Sequence, residues 1–125
     1  MIHLDTNALI YLPHWARSGH PTIERTARGE PAAACAIVWY EYLCGPLAEE
    51  EAELAHAFLQ GRIVDTTEED AVLAAALFNA TGRKRQHRTD TLIAACAMRA
   101  KAEFITANTA DFEPLIAHGL RLVAA

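Results

Sequence analysis

The chain has 125 residues, 52% of them apolar, and a formal net charge of −5 at pH 7. That length suits one domain, able to bury roughly 65–70% of its unfolded surface without disulfide or metal staples. The charge excludes broad nonspecific affinity for polyanions, and no apolar run approaches the roughly 18 residues of a membrane span, so a soluble protein with no membrane partner is expected.

In chain order, Ile2 to Leu4 reads as a short buried strand ending at Asp5-Thr6-Asn7. Ala8, Leu9, Ile10 and Leu12 then lead into a brief helix stopped by Pro13, which lacks the N–H a helix needs. Ser18 to Arg28 is predicted as a second helix closed by Gly29, and Ala32 to Val38 as an apolar strand. Trp39 to Gln60 carries Leu47, Leu54, Ala55 and Phe58 at helical spacing, with an interruption near Gly45-Pro46, and Arg62 to Asp65 is a third strand. Thr67 caps a helix running to Ala80, with Glu68, Glu69 and Asp70 favoured by the first-turn dipole and Gly82 ending it. Past a basic stretch, Asp90 to Lys101 forms a helix with Thr89 as its cap, and Glu103 to Thr106 a fourth strand. Phe112 to His118 is a short helix closed by Gly119, and Leu120 to Val123 a final strand. Strands alternating with helices imply an α/β fold whose parallel sheet is covered on both faces.

The chain opens on a strand-like segment instead of the basic and apolar regions of a signal peptide, so a cytoplasmic protein is expected. Cys35, Cys44 and Cys96 lack CxxC spacing or an adjacent His and read as small core residues. His3 reads as a satisfied core histidine, and the run Glu49, Glu50, Glu51 and Glu53 as a solvated face without a catalytic role.

Open parallel sheets bind ligands beyond the carboxyl ends of their strands, and right-handed crossovers bring distant segments to that rim. Asp5 follows the first strand, while Asn108 and Asp111 follow the fourth. Singly, each acid has a plain reading: Asp5 caps the first helix, Asp111 caps the short late one, and Glu41 is a partly buried acid with a hydrogen-bonding partner. Asp90 shares a stripe with Ile93 and Ala97, an inward position that capping does not require. Burying an ionised carboxylate alone is costly, so gathered acids point to a bound cation, and an all-oxygen donor set suits Mg²⁺ or Mn²⁺. The run Arg83, Lys84, Arg85, His87 and Arg88 ends just before Asp90. In isolation it is a solvated loop; beside metal-binding carboxylates it suits a phosphodiester substrate held by its phosphates. There is no Gly-rich phosphate loop, GxSxG elbow, HExxH pair or zinc-ligand spacing.

LDTN at Asp5, Glu41 with Gly45 beyond it, DTLIAACA at Asp90 and TANTADF around Asp111, in that order along the chain, resemble the PIN domain. Within that family the chain is similar to the VapC-like ribonuclease toxins of bacterial toxin–antitoxin pairs. The resemblance implies a PIN-like three-layer α/β fold, a central parallel β-sheet flanked by helices, in a single domain over residues 1–125. It also implies a Mg²⁺- or Mn²⁺-dependent endoribonuclease, a homodimer, and inhibition by a small cognate antitoxin. Residue by residue, Asp5, Glu41 and Asp90 match the family's core metal-binding acids, and Asn7 and Thr106 match the polar residues that support them. Some members carry a fourth acid where Asn108 stands and others carry it three residues on; here Asp111 is the candidate, with Asn108 in support. Arg83, Lys84, Arg85 and Arg88 are the candidate RNA contacts. The alternatives are a noncatalytic α/β module that binds a protein partner, with the acids as caps, and a solitary PIN nuclease without an antitoxin. A phosphotransferase of haloacid-dehalogenase type would want an Asp where Asn7 stands.

Overall fold

In a computed structural model describing residues 1–125, the apolar runs of the sequence become the strands β1 (Ile2–Leu4), β2 (Ala32–Cys35), β3 (Ile63–Val64), β4 (Glu103–Thr106) and β5 (Arg121–Ala124). They form one parallel sheet in the order β3-β2-β1-β4-β5, with Ile2 opposite both Ala32 and Glu103. β1 and β2 are buried throughout, His3 of β1 included, and β2 reads accordingly as a continuous apolar run and not as an alternating one. From β1 the chain winds outward to β2 and β3, then crosses back to place β4 on the other side of β1. The reversal opens a crevice at the carboxyl ends of β1 and β4, the switch point where open α/β sheets take ligands.

The helices are α1 (Thr6–Ser18), α2 (Pro21–Ala27), α3 (Ala36–Leu43), α4 (Glu49–Phe58), α5 (Glu68–Ala80), α6 (Arg88–Arg99) and α7 (Thr109–Phe112), with 3-10 turns at Arg85–His87 and Glu113–His118. α1 packs on β4, α6 packs across β2 and β4, and α5 lies along α6, so the sheet is the middle of three layers.

Several boundaries differ from the sequence expectation. Pro13 does not stop the first helix, which continues to Ser18. An interior proline costs about 3 kcal/mol, but Leu12 and Trp15 are buried from the same turns, and a fully buried large apolar side chain returns about 1.5–3 kcal/mol. The stop comes instead at Gly19, whose φ of 71° favours a glycine and whose N–H donates to the Trp15 carbonyl at 3.0 Å. Ser18 therefore belongs to α1, and α2 starts at Pro21 with His20 accepting from the Thr22 N–H. The second strand ends at Cys35, and Ala36 to Val38 open the helix that carries Glu41. The break near Gly45-Pro46 is present between α3 and α4.

Thr67 caps α5 as expected, but Asp70 does more than favour the dipole. Its carboxylate accepts from the Thr67 N–H at 3.0 Å and from the Arg99 guanidinium at 2.6 and 3.2 Å, and it is fully buried. Burial opposes its ionisation, yet the bonds from Arg99 and Thr67 win and hold its pKa below the usual carboxylate value. His3 is buried, but its Nε2 has no partner, so it is not the satisfied histidine the sequence suggested. Burial foremost, with the Arg99 charge adding, lowers its pKa to about 4. Cys35 and Cys96 are buried, whereas Cys44 is exposed and not a core residue. No helix is long and apolar enough to cross a membrane.

Candidate active site

Asp5 leaves the end of β1 with its N–H donating to the Ile105 carbonyl of β4 at 3.0 Å, which fixes it at the switch point. As the N-cap of α1 it accepts from the Thr6 N–H at 2.8 Å, so the capping reading holds in full. The carboxylate does more, however, because Thr106 Oγ1 donates to its other oxygen at 2.7 Å and Asn7 Nδ2 reaches the same oxygen at 3.3 Å. Thr106, fully buried at the end of β4, is a hub. Its hydroxyl also accepts from Asn7 Nδ2 at 3.3 Å and from the Asn108 N–H at 3.0 Å, while Asn7 Oδ1 accepts from the Ala107 N–H. These bonds lock the β1 and β4 ends together beneath the carboxylate.

Glu41 comes from α3 and accepts from the Thr6 hydroxyl at 2.9 Å. Thr6 was not singled out from the sequence, where it is an unremarked neighbour of Asp5; its link to Glu41 depends on a long-range approach that no local pattern encodes. Asp90 stands in the first turn of α6, and His87 Nδ1 lies 3.1 Å from its Oδ2. Thr89 lies inside α6 and is not its cap; that position falls to His87, without a side-chain capping bond, because the 3-10 turn runs directly into the helix. Asp111 lies within α7 instead of capping a later helix, and Asn108 takes the N-cap position.

Asp5, Thr6, Asn7, Ile10, Glu41, Asp90, Asn108, Asp111 and Phe112 line one cleft of about 250 Å³. The acids sense one another across it. Burial raises the pKa of Asp5 despite the bonds from Thr106 and Thr6, and the charge on Asp90 pushes the same way. Burial likewise raises Glu41, against the Thr6 bond, with the charges of Asp5 and Asp90 contributing. The side chains do not close into a preassembled cage of three or more ligands. A cleft of this kind suits a cation that keeps several waters and takes only one or two carboxylates directly, the habit of Mg²⁺.

Arg83, Lys84, Arg85 and Arg88 are exposed and none lines the acid cleft. Arg83 and Lys84 lead into the 3-10 turn, Arg85 opens it and Arg88 opens α6, with the Arg88 guanidinium 5.8 Å from the centre of the Phe78 ring.

Comparison with known proteins adds three findings. The family model described as PIN domain matches residues 2–114. No curated protein matches the chain. Among solved structures, a toxin–antitoxin complex from Klebsiella pneumoniae is similar at 26% identity and a TM-score of 0.68, over 98% of this chain and 96% of that one. VapBC-1 from nontypeable Haemophilus influenzae is similar at 25% identity and a TM-score of 0.66, over 99% of this chain and 98% of that one. VapBC2 from Rickettsia felis, bound to a DNA fragment from its promoter, reaches a TM-score of 0.71 at 20% identity over 100% of this chain and 99% of that one, a likeness of fold alone. With the family model spanning most of the chain, and with the sheet order and the acid cleft at its switch point, the chain belongs to the PIN domain family.

Proposed function

We propose that the protein is a Mg²⁺- or Mn²⁺-dependent endoribonuclease, the toxin of a toxin–antitoxin pair, acting in the cytoplasm. The observation that carries the nuclease reading is the gathering of Asp5, Glu41, Asp90 and Asp111 on one polar cleft at the switch point of the sheet. The donor set fits a hard cation, since every acid offers carboxylate oxygen and no thiolate or imidazole lines the cleft. Asp5 and Asp90 would hold the cation, with Glu41 and Asp111 binding it or its waters. When bound, the cation would supply charge stabilisation at the phosphorus and an acidified water as nucleophile.

The chain's own residues do the rest. Thr106, Asn7 and the Thr6 N–H keep Asp5 oriented, so its carboxylate does not reorganise when substrate arrives. Thr6 fixes Glu41 by its Oε1, leaving the remaining oxygen to accept a proton from attacking water. Arg83, Lys84, Arg85 and Arg88 hold flanking phosphates beside a cleft whose own charge repels RNA.

The partner half of the reading rests on the two toxin–antitoxin structures at 25–26% identity and on an apolar groove. Leu9 and Leu12 of α1, Ile23 of α2 and Leu54 and Phe58 of α4 line about 240 Å³ of open space that shares no lining residue with the acid cleft. An antitoxin segment with an apolar stripe fits such a groove. Tyr40 and Leu43 on α3 and Val72 on α5 are exposed apolar residues available to a second copy in a homodimer.

Incubating purified protein with single-stranded RNA tests the nuclease half. Cleavage is expected with Mg²⁺ or Mn²⁺, is lost in EDTA, and is absent from Asp5→Asn and Asp90→Asn. Equal cleavage by both variants would overturn the site. Overexpression that halts growth, and is relieved by the small protein encoded beside the gene, tests the toxin half; harmless overexpression of folded protein leaves a solitary PIN nuclease.

A further inference from the structure

The three acids that the hydrogen-bond network reaches are not supported alike. Asp5 receives the Thr6 N–H, Asn7 Nδ2 and the Thr106 hydroxyl. Glu41 receives the Thr6 hydroxyl. Asp90 receives one protein donor only, His87 Nδ1 at 3.1 Å, and that bond reaches Oδ2 and leaves Oδ1 free of protein partners. We propose that His87 is a positioning residue for the metal site, holding the Asp90 carboxylate by one oxygen so that the other is presented to the cation. The inference rests on the metal-dependent reading above.

The chain geometry favours this role over a capping role. His87 closes the 3-10 turn and holds the N-cap position of α6, where a side chain ordinarily accepts from the backbone N–H of the second or third helical residue. No such bond is made; the ring reaches forward to Asp90 instead. An ionised carboxylate can only accept, so Nδ1 is the protonated nitrogen of this pair whichever charge the ring carries. The turn fixes the main chain that carries the ring, because the His87 N–H donates to the Lys84 carbonyl at 2.9 Å.

Placement also separates His87 from the ligands themselves. Asp90 and Asp111 line both the acid cleft and a small adjoining cleft of about 20 Å³, whereas His87 is on the wall of the small cleft only. The ring therefore braces Asp90 from outside the acid cleft. The His87 and Asp90 side chains retain 29% and 26% of their exposure, enough shielding for the bond to hold a rotamer and enough water contact that the fold does not depend on it. Partners that orient a ligating side chain typically change metal affinity about 10–100-fold when removed.

Titrating Mn²⁺ into metal-free protein by calorimetry tests the proposal, with wild type, Asp90→Asn, His87→Ala, His87→Asn and Gln86→Ala compared. The Asn amide nitrogen stands near the place of the imidazole Nδ1, so His87→Asn keeps the donor without the ring. Gln86→Ala perturbs the same exposed turn without touching Asp90. The expected result is Mn²⁺ binding weakened about 10–100-fold in His87→Ala, recovered for the most part in His87→Asn and unchanged in Gln86→Ala, with the metal-free melting temperatures of these three variants like that of wild type. Cleavage by His87→Ala should recover as Mn²⁺ is raised to saturation. If His87→Ala binds Mn²⁺ as wild type does while Asp90→Asn does not, the role of His87 is overturned and the metal site stands. His87→Asn as weak as His87→Ala would also overturn it, since the donated hydrogen bond would not be the cause. If Asp90→Asn binds Mn²⁺ as wild type does, the metal site itself fails, and the inference with it.

Discussion

Replacing Thr106 with Val removes one hydroxyl and nearly preserves the shape of a fully buried side chain. That hydroxyl donates to Asp5 Oδ2 at 2.7 Å, the shortest of the bonds to the carboxylate, and accepts from the Asn108 N–H at 3.0 Å. A hydrogen bond to a charged group contributes about 1.5–3 kcal/mol net, and Asn108 is exposed, so its freed N–H finds water at little cost. The expected loss is therefore about 2 kcal/mol at pH 7, or about 5–10 °C in melting temperature for a domain of this size. Its pH dependence follows from Asp5, whose folded pKa burial already raises and which would rise further beside a methyl group. A carboxyl with a raised folded pKa penalises the fold fully above that pKa and not at all below its unfolded value near 3.9. The deficit should thus shrink as pH falls through that window, leaving about 1 kcal/mol for the neutral hydrogen bond. Urea unfolding of metal-free protein at pH 7 and pH 4 measures both quantities. A deficit under about 0.5 kcal/mol at pH 7, or one identical at the two pH values, would refute the reasoning.

Asp5→Asn should raise metal-free stability at neutral pH, because it removes the charge that burial and Asp90 disfavour, while abolishing cleavage; chemical denaturation and an RNA assay on the same preparation read both effects. Asp70→Asn should destabilise by about 2–4 kcal/mol, below the top of the range for broken buried pairs because Arg99 keeps a third of its side-chain exposure. Since the folded pKa of Asp70 is lowered, that gap should be full above pH 4 and close as pH falls through the folded value, as urea unfolding across pH would record. Neutralising Arg83, Lys84, Arg85 and Arg88 in an Asp90→Asn background should flatten the salt dependence of RNA binding by about 0.7 in slope per lost phosphate contact; superimposable salt plots would mean that this turn does not hold RNA.

The sheet was legible in the sequence as short, largely apolar stretches of strand length alternating with helices, and Asp5, Asn108 and Asp111 could be placed at its rim from strand ends alone. Boundaries were less legible where two buried elements adjoin. Ala32 to Val38 is apolar on both sides of the strand-to-helix join, and Cys35 makes no side-chain cap to mark it. Pro13 misled because local propensity says nothing of Leu12 and Trp15, whose burial carries the helix past it. Within the site, the acids were singled out by residue type and order and the Asn7–Thr106 support by the resemblance to the PIN domain, while the roles of Thr6 and His87 were not foreseen. Their roles lie in contacts, one between α1 and α3 and one across a 3-10 turn into α6, that only the folded geometry supplies. Asp70 was hidden for the same reason: a first-turn acid looks like a dipole charge until Arg99, a helix away in sequence, is seen beside it.

The measurement that bears most directly on the acid cleft as a catalytic metal site is the anomalous scattering of Mn²⁺ soaked into crystals of the wild-type protein. The account requires a peak in the cleft at about 2–2.3 Å from carboxylate oxygens of Asp5 and Asp90, and its disappearance in Asp90→Asn. Mn²⁺ bound elsewhere, with the cleft empty at concentrations that support RNA cleavage, would contradict it.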